Sequence, residues 1–147
     1  MSPFYLEKSL GIDIREESVS LVLLGKALGN IDIIGFHFFK IKPLENEDAE
    51  IFFLEEINRF LLPHNLAVTS VIVSLPRSLV SVQSFELPAP DINVIDSMIG
   101  FEVERHFFSK PEDLYFTYHA AKLAENRFHV FMSAIKKETA DYYLKLV

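Results

Sequence analysis

Three carboxylates stand near the ends of apolar runs that read as strands, and they are the residues best placed for metal chemistry. Asp13 lies near the end of the first run, Asp32 opens the third, and Glu86 stands shortly before Pro88 in a later one. Carboxylates at the ends of neighbouring strands can hold the metal ions that assist phosphodiester hydrolysis. A ribonuclease H-type metal nuclease built on Asp13 is therefore the minor enzymatic alternative that these residue types leave open.

Other catalytic and metal-binding patterns are missing from the sequence. The chain has no Cys, which excludes a thiolate nucleophile, a disulfide framework and a Cys-ligated zinc ion. The five histidines, at positions 37, 64, 106, 119 and 129, show no ligand spacing such as His-x-x-x-His. Neither a Gly-x-Ser-x-Gly elbow nor a Gly-x-x-x-x-Gly-Lys-Ser/Thr phosphate loop occurs. We predict no metal site and interpret the histidines as structural.

The charge and composition of the chain limit the classes of partner that it can bind. The chain has 147 residues, and its 14 Lys and Arg against 21 Asp and Glu give a formal net charge of −7. Half of the residues are hydrophobic and 13% are aromatic, which is enough apolar surface for one domain or two small lobes. A negative surface repels phosphate groups. We therefore expect neither a nucleic-acid partner nor direct insertion into an anionic membrane.

No segment predicts export or a membrane span. The longest apolar runs, at 19–24 and 31–41, are far shorter than the roughly 20 residues that a spanning helix requires. The first ten residues carry Glu7 and Lys8 and lack the apolar core of a signal peptide. We predict a cytoplasmic protein. A helix-like pattern is still running at Val147, so we expect the chain to be a trimmed piece of something longer.

The first half of the chain predicts a mixed sheet. Two β-rich runs on either side of residues 15–17 predict a hairpin, and Gly29-Asn30 marks the turn into a third strand. A helix is predicted from an N-cap at Asn46 to Pro63 by apolar residues at helical spacing. The next run is short and β-branched, as expected for a buried strand parallel to an earlier one. The predicted strands are residues 9–14, 18–25, 31–41, 70–75 and 79–87.

The stretch Pro88-Ala89-Pro90-Asp91 is the predicted lobe boundary. After it we predict a helix over 94–108, a hairpin of strands 114–123 and 128–135, and a helix over 136–147. With a two-residue turn at Glu125-Asn126, His119 should face Met132 and His129 should face Lys122.

The predicted fold class is therefore mixed α/β. Residues 1–88 should form a ribonuclease H-like or actin-like lobe with a mixed sheet. Residues 89–147 should form a small αββα lobe, inserted and truncated. Fold alone does not fix function, since function sits in sites.

Three stretches in this order resemble the PilM proteins of type IV pilus assembly. They are residues 10–24, residues 71–88, and residues 101–107 with 111–114 and Tyr118 after them. The cytoplasmic domains of GspL, from type II secretion, are related but less similar, and the division protein FtsA is more distant. The resemblance covers nearly the whole chain but only the N-terminal half of a full PilM.

The resemblance implies that the turn after Asp13 is a phosphate loop, in which the Asp would organise a metal-bound water. This sequence keeps Asp13 and Ser18 but has Arg15 where the family has Gly, and Glu16 and Glu17 where Ser is usual. Two carboxylates beside a triphosphate repel it, by about 1 kcal/mol or more per close pair. The loop is therefore degenerate. We expect no ATP or Mg²⁺ cofactor and no enzymatic activity.

The resemblance also implies a groove for the short cytoplasmic tail of a bitopic inner-membrane partner such as PilN. A peptide groove needs an apolar floor and a polar rim. The expected floor residues are Phe101, Phe107, Phe108 and Tyr118, and the expected rim residues are Glu104 and Arg105.

The predicted function is a cytoplasmic scaffold, peripheral at the inner membrane through its partners, in the assembly platform of a type IV pilus or a type II secretion system. The alternative from another class is half of an actin-like nucleotide-binding ATPase. We also expect that two copies can form a homodimer, because half of a two-lobed protein exposes apolar surface.

Overall fold

The computed structural model describes residue 5 and residues 7–42, 47–64 and 68–147. Seven strands and three helices lie within these ranges, and their ends agree with the predicted ones to within about two residues. The predicted N-cap Asn46 lies outside the described residues. In chain order the elements are β1 Glu7–Ile14, β2 Ser18–Ala27, β3 Asn30–Lys40, α1 Glu47–Leu61, β4 Ser70–Ser74, β5 Ser81–Pro88, α2 Ile92–Phe107, β6 Leu114–Ala124, β7 Arg127–Lys136 and α3 Lys137–Lys145.

The first sheet contains four strands in the order β3-β2-β1-β4. The first three strands pair antiparallel, and β4 returns parallel to β1 after α1. A parallel return requires a long crossover, which the α1 segment supplies. The predicted mixed sheet is therefore confirmed.

One face of this sheet and helix α1 form the first core. Leu10, Ile12 and Ile14 alternate along β1 and are at most 3% exposed, and their partners on β2 are no more exposed. Phe53 of α1 is fully buried, and its ring centroid lies 6.5 Å from that of Phe39 on β3. The period of two in the strands and the helical period in α1 thus meet in one apolar layer.

Glu56 of α1 is a charged side chain buried in this core. It is only 5% exposed. His37 Nε2 lies 2.8 Å from its Oε2, and the Arg59 guanidinium binds its other oxygen. The His37 ring also stacks near Phe60. Because a buried carboxylate is costly without partners, these contacts explain His37 as a structural residue.

The chain divides into two compact units. The first runs to Pro76 and includes Leu146–Val147, and the second is Arg77–Lys145. The second unit is built on a three-stranded antiparallel sheet in the order β5-β7-β6. Its core joins α2 to one face of this sheet. The fully buried members of that core are Ile95, Val103, Val130 and Met132.

The sequence assigned strand β5 to the first lobe, whereas its pairing places it in the second unit. Eight residues of β5 pair with β7, from Ser81 opposite Ala134 to Pro88 opposite Arg127. The proline-rich stretch after it is not a linker, because Ala89 is 2% exposed and its N–H donates to the carbonyl of Asn126 at 3.1 Å. The sequence predicts a boundary here because proline interrupts the strand and helix patterns. In the structure the stretch connects β5 directly to α2.

The second hairpin corrects another prediction. The two-residue turn is present, with Ala124 opposite Arg127, but the register shifts between Lys122 and Ala124. His119 therefore faces Phe131, not Met132, and His129 faces Ala121, not Lys122. The cause is one extra residue in β6, which a count from the turn does not reveal.

None of the helices in the described ranges is long and apolar enough to cross a membrane.

The two neighbouring phenylalanines of α1 offer a test of the first core. Phe53→Ala should lower the free energy of unfolding by about 3–5 kcal/mol, because a fully buried ring leaves a cavity. Phe52→Ala is the matched control, since Phe52 is 40% exposed, and its cost should be much smaller. Urea unfolding followed by circular dichroism measures both. Equal losses would show that α1 is rotated relative to the packing described here.

Candidate functional site

The predicted phosphate loop connects β1 to β2. Asp13 is the penultimate residue of β1 and lies opposite Ser20 of β2 and Ser74 of β4. The backbone N–H of Arg15 donates to the carbonyl of Ser18 at 2.9 Å and closes the turn. The structure thus places all five predicted loop residues together, with Glu16 and Glu17 exposed at the tip.

Arg15 folds back onto Asp13. Its Nε lies 2.9 Å from Asp13 Oδ2, and the two side chains are 74% and 36% exposed. The hydrogen bond from Arg15, supported by one from Ser74, lowers the pKa of Asp13 below the ordinary aspartate value. Asp13 is therefore an ionised carboxylate whose charge is already paired within the loop.

A shallow hollow of about 220 Å³ lies beside Asp13 on the face of the sheet opposite α1. Gly11 forms part of its floor, and a Cβ at this position would lie 2.8 Å from Val22 Cγ1. Gly11 is thus required for packing between adjacent strands. The remaining lining is largely apolar and includes Phe36 and Ile72. Such a hollow suits an apolar side chain better than a triphosphate.

The three carboxylates of the metal-nuclease alternative lie on different strands. Asp32 lies opposite Gly25, near the other end of β2 from Ser20, the partner of Asp13. Glu86 belongs to the second unit, where Arg127 binds its carboxylate. Among the residues that the structure describes, no group of three or more His, Asp or Glu side chains is placed to hold a metal ion.

The predicted groove residues do not form one surface. Phe101 is 76% exposed on the outer side of α2, with Glu104 and Arg105 beside it. Phe107 and Tyr118 instead pack against the core of the second unit. Phe107 follows Phe101 by six positions, which sets the two rings on different faces of a helix with 3.6 residues per turn. The aromatic run in the sequence therefore divides between core and surface.

Tyr118 has a specific partner in its own unit. Its hydroxyl donates to Asp96 of α2, and this hydrogen bond raises the pKa of Tyr118 above the ordinary tyrosine value. The hydroxyl fastens β6 to α2. This contact assigns Tyr118 a structural role within the second unit.

Phe108 remains on the surface after α2 ends. It is 92% exposed and adopts a left-handed conformation with φ 52°, while its N–H bonds the carbonyl of Glu104. Helices often end this way, but glycine is the usual residue, because a side chain is strained there. An exposed aromatic ring in a strained position is a surface feature that the fold does not require.

Sequence reasoning missed an exposed apolar surface of the first unit, which we call the outer face. It is the face of the first sheet opposite α1. Its large side chains are 51–72% exposed, and they are Ile31, Ile33, Phe36, Phe38 and Ile72. The signal was present in β3, whose apolar residues occupy both faces instead of alternating with polar ones. Such a pattern indicates a strand that is covered on both sides.

No protein-family model matches the chain, and no curated protein matches it by sequence. Solved structures do match. One is the cytoplasmic domain of EpsL, an inner-membrane component of the type II secretion system of Vibrio cholerae, with 12% identity and a TM-score of 0.58. The match covers 95% of this chain and 52% of that one. The chain has the fold of the matched part of that domain and spans about half of the domain's length.

Two Ppx/GppA-family structures from Aquifex aeolicus match only in part. One is 18% identical, covers 46% of this chain and 25% of that one, and has a TM-score of 0.36. The other is 15% identical, covers 71% and 33%, and has a TM-score of 0.38. The fold assignment rests on the EpsL domain, and the predicted mixed α/β, actin-like class is confirmed.

The ion pair in the loop can be tested by titration. Arg15→Ala should raise the pKa of Asp13 toward the ordinary value, because it removes the charged hydrogen-bond donor that lowers it. A carboxyl group whose pKa falls on folding stabilises the protein above its unfolded pKa, and this contribution disappears as pH drops through the folded pKa. Arg15→Ala should therefore have a lower free energy of unfolding than wild type near neutral pH, and this difference should disappear in acid.

NMR titration of the Asp13 carboxyl carbon measures the shift directly. Arg59→Ala is the control, since Arg59 binds Glu56 on the other side of the sheet and should leave Asp13 unchanged. A titration midpoint that is the same in wild type and in Arg15→Ala would show that the pair does not form in solution.

Proposed function

We propose that the chain is a non-catalytic scaffold in the cytoplasmic part of an inner-membrane assembly platform, where it holds the tail of a membrane-anchored partner. The shared fold with the EpsL cytoplasmic domain supports a type II secretion system as the setting. A type IV pilus platform is the second setting, and it rests on the sequence motifs alone. In either case the protein would be peripheral at the membrane through its partner.

The observation that carries this proposal is the outer face. Isolated exposed apolar residues are normal on a protein surface, whereas a contiguous patch indicates a binding site. An antiparallel sheet can leave one face in solvent, but that face normally carries polar side chains, whereas the outer face carries large apolar ones. The outer face therefore fits the apolar side of a partner segment, with the hollow beside Gly11 available for one of its side chains.

Charge supports a juxtamembrane tail as the partner. Cytoplasmic segments next to a membrane span carry an excess of Lys and Arg. A protein with a net charge of −7 attracts such a segment and is repelled by the anionic lipid surface. The combination selects the tail over the membrane itself, and binding should weaken as salt is added.

Binding of the tail can be measured by isothermal titration with the cytoplasmic peptide of the neighbouring inner-membrane assembly protein. Phe36→Ser should weaken binding about 10-fold or more, because Phe36 is a large exposed ring of the outer face and lines the hollow beside Gly11. Phe131→Ser is the matched control, since Phe131 is 50% exposed on a sheet of the second unit.

The two variants test where the tail binds, separately from whether it binds at all. Equal weakening in both, or weakening in Phe131→Ser alone, would place the tail elsewhere than on the outer face. Phe101→Ser tests the residue that the family resemblance favoured. Failure of the full-length protein to bind any such tail would contradict the scaffold proposal as a whole.

An actin-like ATPase is the second candidate, because Asp13, Ser20 and Ser74 meet at the end of the first sheet. We favour the scaffold, since the Arg15 guanidinium is already paired with the Asp13 carboxylate. Glu16 and Glu17 would also repel phosphate. Titration with Mg-ATP should give no measurable heat of binding. Micromolar affinity would overturn this part of the proposal, and its loss in Asp13→Ala would identify the loop as the site.

A further inference from the structure

Four strands form the edges of the two sheets, and three of them are protected. Edge strands offer unpaired backbone groups, and proteins shield them by short length, charge, proline or a bulge. β4 has only five residues. β3 carries Asp32 and Lys40 and lies at a register shift. β5 carries Glu86 and ends at Pro88.

Strand β6 lacks these protections. It has eleven residues, contains no proline or glycine, and its one formally charged side chain is Lys122. The register shift comes only after Lys122, so the strand pairs regularly over most of its length. None of the strands that the structure describes pairs with its second edge.

Helix α3 covers only the beginning of β6. The Tyr115 hydroxyl donates to Asp141 of α3 at 3.1 Å, and Lys137 lies 5.4 Å from the centre of the Tyr115 ring. Beyond this point, Thr117 and His119 are exposed. The two α3 contacts reach the Tyr115 side chain on the face of the sheet, and no described strand pairs with the second edge of β6, so that edge is available from Leu114 to Lys122 and is long enough to accept another strand.

We propose that this edge pairs with β6 of a second copy of the chain, antiparallel, to form a continuous six-stranded sheet across a twofold axis. Antiparallel pairing is self-complementary, because each copy offers the same backbone donors and acceptors to the other. The proposal uses only the second unit, so it is independent of tail binding on the outer face.

The charges around β6 favour a second copy. Pairing centred on Tyr118 sets Lys122 of each copy opposite Leu114 of the other, next to the exposed Glu112 and Asp113. Opposite charges then meet at both ends of the paired strands. The two Lys122 residues lie eight residues apart along the pairing, or about 27 Å, so they do not repel each other. The contact area is that of two strands, which predicts a weak, reversible dimer.

Sedimentation equilibrium at increasing protein concentration should show this dimer. Thr117→Lys with His119→Lys places like charges opposite each other across the twofold axis and should raise the dissociation constant about 10-fold or more. The double variant Thr117→Glu with His119→Glu should weaken its own dimer in the same way. A mixture of the lysine and glutamate double variants should restore association as a heterodimer.

The matched control is Ile31→Lys with Ile33→Lys, which adds the same charges to the exposed face of edge strand β3. It should leave the dimer intact. Hydrogen exchange of the wild type gives a second readout, since amides along the free edge of β6 should become protected as concentration rises. A strict monomer at the highest soluble concentration overturns the proposal, and so does an association that the β3 variants abolish and the β6 variants do not.

Discussion

The register of β1 between β2 and β4 is the constraint on which the first unit depends. Side chains alternate along a strand, so one register fixes two faces at once. Leu10, Ile12 and Ile14 go under α1, while Gly11 and Asp13 go to the outer face. A slip by one residue would exchange them. The same register that builds the core therefore also decides where a phosphate loop or a partner could be approached.

The Asp13 loop pairs its own charges. The strand register sets Asp13 opposite Ser20 of β2 and Ser74 of β4. The carboxylate that would attract a metal ion is already paired with the Arg15 guanidinium. The outer face and the second edge of β6 are two surfaces that no described strand or helix of their own unit covers.

Local patterns predicted much of this fold. The strand and helix boundaries, the parallel return of β4 and the turn at Glu125-Asn126 follow from periodicity and turn residues, which act within a few positions. The candidate site was predicted in part. The loop residues around Asp13 are together, whereas Phe107 and Tyr118 of the expected groove are partly buried against the core of the second unit. Aromatic residues at neighbouring positions of a helix separate onto different faces, and composition alone does not distinguish them.

The sequence by itself determined which segments are strands and helices, the negative charge, and the presence of Arg15, Glu16 and Glu17 in the turn after Asp13. Tertiary structure decided that β5 belongs with β7, that the hairpin register shifts before Ala124, and that Arg15 neutralises Asp13. It also decided which apolar side chains stay exposed on the outer face. The physical reason is that strand pairing and side-chain burial join residues far apart in the chain, so each choice depends on which partner is available and not on the local pattern.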